Sequence, residues 1–186
     1  MRAIKILTGV TLFVGLIAYS SHSSPSAVPA MTITSSAFED NGIIPAKYTR
    51  SVDKPISPSV AWTNAPQETI SFALIFHDPD SPVQKSSEDT LHWLAFNIPG
   101  TARKLDEAVP ANAQLPDGTI QGKTNSGVGY KGPGAAANGP LHHYIVELYA
   151  LDSKLDLGPD ATRADLLKAM DGHVLAKGVI VGRFHR

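Results

Sequence analysis

The sequence predicts a single strand-dominated domain carrying few and short helices. Four stretches are rich in β-branched and aromatic residues and run apolar with little interruption: Thr69 to His77 (TISFALIFH), Leu91 to Ile98 (LHWLAFNI), Leu141 to Leu151 (LHHYIVELYAL) and Gly178 to Phe184 (GVIVGRF). Such runs mark strands, and continuous apolarity marks burial on both faces. Fourteen prolines and fifteen glycines punctuate a chain of ordinary hydrophobicity, which implies many turns between short elements rather than disorder. Against this, one segment alone carries a convincing helical pattern.

Taken in order, Met1 to Ala30 stands apart. Arg2 and Lys5 give a positive start, Ile6 to Ala18 is an apolar run of thirteen residues, and a Ser/Pro-rich stretch leads to Val28-Pro29-Ala30. This is the pattern of a secretory signal peptide, too short for a comfortable transmembrane helix, with an uncleaved membrane anchor as the alternative. Residues 31–186 then form the domain, long enough for a sizeable core. The absence of cysteine excludes a lipoprotein anchor and a disulfide framework. A net charge of −1 gives no basic footprint for nucleic acid.

Met31 to Phe38 alternates weakly and is expected to open the sheet. Glu39 to Ala46 is a turn and loop, with Asn41-Gly42 as punctuation. Ser59 to Trp62 (SVAW) can pair as a short strand. Thr69 to His77 is a central strand, which Asp78-Pro79-Asp80-Ser81-Pro82 is expected to stop. Val83 to Asp89 is a polar surface loop, and Leu91 to Ile98 a second buried strand. Ala102 to Gly118 holds Pro110 and Pro116 and reads as irregular, with room for one helical turn. Thr162 and Asp165 resemble a capping box ahead of Leu166, Leu167 and Met170, with Gly172 to close the helix. Gly178 to Phe184 is the last strand.

The chain is organised around Gly127 to Asp152. Gly127 to Pro140 holds five glycines and two prolines in fourteen residues, so it is neither helix nor strand interior. It feeds a buried strand that opens His-His-Tyr. Alternation puts His142 and Tyr144 on one face and His143 on the other. Asp78 and Asp80 sit in a turn stiffened by two prolines, and His92 heads the next strand. If the three strands are neighbours, Asp78, His92, His142 and Tyr144 cluster at one edge. Three chemistries fit such a cluster. Two histidines and a carboxylate can ligate zinc or iron, but no close His pair fixes a geometry. Nucleophilic catalysis lacks a cysteine or a G-x-S-x-G elbow. Anion recognition uses the histidine and tyrosine donors together with loop amides, with Asp78 orienting a histidine and favouring its protonated form. Gly118 to Thr124 (GTIQGKT) is one residue short of a phosphate-binding P-loop, and no strand runs into it.

DPDSP (Asp78 to Pro82), LHWLAFNIPG (Leu91 to Gly100) and GYKGPGAAANGPLHHYIVELYALD (Gly129 to Asp152) together resemble the phosphatidylethanolamine-binding proteins, also called Raf kinase inhibitor-like proteins, and most of all their bacterial branch. FEDNGIIPAKYT and HVLAKGVIVGRF add to the likeness, which runs from about Ser36 to Phe184. The resemblance implies a β-sandwich of a larger central sheet and a smaller sheet, with short helices near the C-terminus. It implies an anion pocket for phosphate, acetate or phosphorylethanolamine-like groups, formed by Asp78, Asp80, His92, Gly134, His142 and Tyr144. Pro79 and Pro82 would shape its wall, with a cis bond before one of them. Bacterial members are often dimeric. The chain departs from the family where Gly134 is followed by Ala135-Ala136-Ala137-Asn138 instead of proline, and where Ser81 replaces alanine. The expectation is a periplasmic or secreted, non-enzymatic small-ligand-binding protein with no cofactor and no metal. Once processed, it would not be an integral membrane protein. The alternatives are a kinase- or protease-inhibitor-like regulator docking a protein partner at the pocket edge, and a phosphoester hydrolase using His142 as base.

Overall fold

A twelve-residue strand, β4 (Ser71–Pro82), runs through the interior, and its alternation decides the architecture. Phe72, Leu74 and Phe76 point into one apolar core, and Ala73 and Ile75 into another. A strand with two apolar faces must be covered on both. The computed structural model describes residues 30–82 and 87–186. The expected leader, apart from Ala30, therefore falls outside the described residues, as does most of the loop after Pro82.

The other elements are β1 (Thr32–Thr34), β2 (Gly42–Ile43), a 3-10 turn (Ala46–Tyr48), β3 (Val60–Thr63), β5 (Asp89–Pro99), β6 (Lys104–Leu105), β7 (Ile120–Gln121), β8 (Lys123–Thr124), β9 (Gly127–Val128), β10 (His142–Leu151), α1 (Arg163–Met170) and β11 (Val174–Phe184). Six strands form one sheet in the order β2-β11-β10-β4-β5-β7, and β1-β3-β6 form a smaller one. The core between the two sheets takes Ile33 and Trp62 from the small sheet and Phe72, Phe76, Trp93 and Leu148 from the large one. The opposite face of the large sheet packs Ile75, Leu94 and Phe96 against Leu166 and Met170 of α1. This is the strand-dominated architecture the sequence predicts, with the larger and smaller sheets that the family resemblance implies, and β8 and β9 pair as a separate two-stranded sheet.

The helix begins as expected: the Thr162 hydroxyl accepts from Asp165 N, and the Asp165 carboxylate accepts from Thr162 N. Gly172 then turns the chain at φ 80°. Three expectations are corrected. DPDSP does not stop its strand, because β4 continues to Pro82, which pairs with Asp89. The register slips between Asp78 and Pro82. Proline lacks an N–H, so the strand crosses the motif as an irregularity while the Asp78 side chain accepts from Asp80 N at 3.0 Å. No cis peptide bond occurs among the described residues. Ala102 to Gly118 contains the two-residue strand β6 in place of a helical turn. The P-loop-like stretch forms β7 and β8 and leads into no helix.

Candidate anion site at the ends of three strands

β10, β4 and β5 are adjacent in the large sheet, so Asp78, His92, His142 and Tyr144 come to one end of it. The Tyr144 ring lies 5.2 Å from the His92 ring and 6.4 Å from that of His142. His143 points the other way and is exposed, as strand alternation requires.

Asp78 is buried and fixes His142. His142 Nδ1 lies 2.9 Å from Asp78 Oδ2 and 3.2 Å from Oδ1, while Asp80 N occupies Oδ1 as well. A carboxylate acceptor makes Nδ1 the protonated nitrogen, which leaves Nε2 as the free working atom of His142. His92 is held the same way by a different partner, with Nδ1 donating to the Lys131 carbonyl at 2.8 Å. Burial pushes the His92 pKa below the ordinary histidine value, and the nearby Arg50 charge adds to this against the Lys131 carbonyl and Asp78. His92 therefore brings a neutral ring to the cluster.

This neutral burial has a measurable consequence. An unfolded chain takes up a proton near pH 6.5 that folded His92 resists, so protonation opposes folding. Stability is expected to fall as the pH drops below about 6.5, with a shallower slope in His92→Gln. Urea unfolding at pH 5 to 8 gives both slopes, and parallel slopes would refute the assignment.

Tyr144 is fully buried. Its oxygen accepts from Gly134 N at 3.3 Å and Ala135 N at 3.1 Å. The hydroxyl proton is then left to the neighbouring Asp78 side chain. Burial, with Asp78 nearby, pushes its pKa well above the ordinary tyrosine value, so the proton stays on. Tyr130 backs the group: its ring stacks on Phe76 at 5.7 Å, and its hydroxyl donates to the Tyr48 carbonyl at 2.6 Å.

The other expected site residues distribute as follows. Asp80 is drawn to His143, accepting from its backbone N at 2.7 Å and its Nδ1 at 2.8 Å. The His143 amide bond is the main cause holding the Asp80 carboxyl below the usual range. The Gly134 amide is spent on Tyr144, so it reaches the cluster only through the tyrosine. Pro79 is exposed, and the Pro82 side chain lies outside the described residues.

Sequence reasoning missed Arg50, Lys131 and Arg186. Arg50 lies across Gly134, with Cδ 2.9 Å from where a Cβ would stand. Any larger residue at 134 would displace it. Arg186 reaches the Gly134 carbonyl through Nη2 at 3.3 Å. Arg50 sits in an ordinary-looking loop and Arg186 at the end of the chain, so no local pattern marks either. Lys131 acts through its carbonyl, which no side-chain motif can show.

A second polar network lies elsewhere. His77 Nδ1 meets Asp89 Oδ2 at 2.5 Å, Asp89 also pairs with Arg163, and Glu147 with Lys177 at 2.5 Å. A groove of about 600 Å³ opens beside it between the start of β5 and α1. Among the described residues no group of three or more His, Asp or Glu is arranged to hold a metal ion, and no helix is long and apolar enough to cross a membrane.

Comparison with known proteins agrees with this fold. A protein from Methanothermobacter thermautotrophicus designated UPF0098 is 43% identical over 157 residues, covering 84% of this chain and 99% of that one. The crystal structure of CT736 from Chlamydia trachomatis, described as a homolog of phosphatidylethanolamine-binding protein, superposes with a TM-score of 0.74 at 31% identity, covering 84% of this chain and 98% of that one. E. coli YbcL, described as a new member of the mammalian family, gives a TM-score of 0.72 at 25% identity, covering 85% and 99%. The family model for phosphatidylethanolamine-binding protein matches residues 34–185, nearly all of the described fold. The chain belongs to the phosphatidylethanolamine-binding protein family.

Proposed function

We propose that the protein binds a small anionic group, phosphate or a phosphorylethanolamine-like headgroup, at the end of β4, β5 and β10. The observation that carries this reading is the Asp78–His142 pair beside the buried Tyr144 hydroxyl. Asp78 presents His142 to the pocket through Nε2, and an imidazole carrying a proton there would donate to a phosphate oxygen. The fully buried Tyr144 hydroxyl, its oxygen held by two amides and Asp78 beside it, braces the pair that presents His142. His92 in its neutral form would accept, at Nε2, a hydrogen bond from the hydroxyl of a singly protonated phosphate.

Isothermal titration of the chain from Met31 to Arg186 with inorganic phosphate and phosphorylethanolamine tests this. Saturable binding, weakened about tenfold or more in His142→Ala by loss of a charge-assisted bond, is the expected result. Equal affinity in the variant would sink the reading. The same Asp–His arrangement could serve a general base. The role proposed is nevertheless binding, and turnover of a phosphoester panel by the native protein would replace it with hydrolysis. The positive start and apolar run of Met1 to Ala30 support a periplasmic or secreted chain, which cell fractionation checks.

A further inference from the structure

The rim of the candidate pocket is electrically lopsided. On the loop side stand two guanidinium groups. Arg50 is anchored beside the glycine-rich loop by its own backbone N, which donates to the Pro133 carbonyl at 2.8 Å. Its stem lies over Gly134, whose added Cβ would come within 2.9 Å of Arg50 Cδ and 3.6 Å of Nε. That position is one residue from Ala135 and shares the Tyr144 hydroxyl with it. Among the described residues no carboxylate pairs with Arg50. Arg186 flanks the same loop, with Nη2 on the Gly134 carbonyl at 3.3 Å and Nε on the Ala135 carbonyl at 3.5 Å.

The acidic groups nearby are already engaged. Both oxygens of Asp78 face His142, and one also holds Asp80 N. Asp80 is bound twice by His143. A ligand ammonium would thus find spoken-for carboxylates on one side and uncompensated guanidinium charge on the other. A carboxylate or second phosphate oxygen would find the planar fork that a guanidinium offers to such groups. The conformation of Arg50 is also partly set in advance by packing on Gly134, which lowers the ordering cost of binding.

We propose that Arg50 is a ligand-binding, specificity-determining residue, and that the preferred ligand is a phosphomonoester bearing a second negative group beyond the phosphate. The proposal rests on the anion-pocket reading above and narrows its ligand class. A phosphorylated ammonium becomes the disfavoured case, because its positive end meets Arg50.

Three probes decide it: inorganic phosphate, phosphorylethanolamine and phosphoglycolate, titrated at one fixed ionic strength because exposed charge is screened by salt. The native chain is expected to bind phosphoglycolate about tenfold more tightly than phosphorylethanolamine, the size of one charge-assisted hydrogen bond. Arg50→Ala should erase most of that ratio while keeping the native thermal midpoint, since the residue is exposed. Arg50→Lys should restore part of it, keeping the charge and losing the fork. Phosphorylethanolamine binding as tightly as phosphoglycolate, or a ratio unmoved in Arg50→Ala, overturns the proposal and leaves the pocket standing. Saturation by none of the three overturns the pocket and the proposal together.

Discussion

Asp78→Ala is expected to reduce phosphate affinity about tenfold, as His142→Ala does, and to destabilise the fold by about 2 kcal/mol, the range for leaving buried hydrogen-bond partners unsatisfied. Asp78 is 2% exposed and serves two partners at once. Without it, His142 Nδ1 loses its acceptor, the ring is free to turn, and Nε2 no longer has a fixed aim. The Asp80 amide loses its partner too, at the one place where β4 crosses two prolines. Asp78→Asn separates the effects. It keeps an oxygen for the turn but lacks the charge, so stability should recover more than affinity does. Titration with phosphate and urea unfolding of both variants provide the check. Affinity unchanged in Asp78→Ala would mean that His142 does not bind the anion, or binds it without orientation.

Trp93→Ala is expected to cost about 4 kcal/mol, the range for truncating a buried tryptophan. Trp93 is 1% exposed, on the central strand pair. Its Nε1–H donates to Gln121 Oε1 at 2.7 Å, and Gln121 Nε2 in turn donates to the carbonyls of Pro110 and Asn112, each at 2.7 Å. The variant would leave a cavity and an unsatisfied buried amide, and would loosen the irregular 110–112 segment. The damage should extend towards the site. Trp93 meets the Tyr130 ring edge-on at 5.8 Å, and the next residue, Lys131, holds His92. Urea unfolding followed through the remaining Trp62 measures the effect. A loss below about 1 kcal/mol would place Trp93 outside the cooperative core.

Much of the fold was legible because its signals are local. TISFALIFH and LHHYIVELYAL announce strands with two apolar faces, and both lie in the middle of the large sheet. The Thr162–Asp165 capping box is a four-residue pattern and forms as read. Legibility failed where a local signal was overruled by neighbours. DPDSP carries strong turn chemistry, yet pairing of Pro82 with Asp89 across β5 and the Asp78 side-chain bond to Asp80 N carry the strand through it.

The site divides along the same line. Residue type and strand alternation by themselves determined that His142 and Tyr144 share a face and that His143 does not, because the side-chain period of a strand is two. The motifs in order likewise determined the family. Only the tertiary structure decided what each group can do. Strand order brought Asp78 to His142, and Asp80 to His143 instead of the pocket. A main-chain carbonyl 39 residues away sets the protonated nitrogen of His92. Packing on a bare Gly134 laid Arg50 at the rim. These are contacts between residues far apart in the chain. Burial, tautomer and charge balance depend on such contacts, so a sequence read locally holds the groups but not their electrostatics.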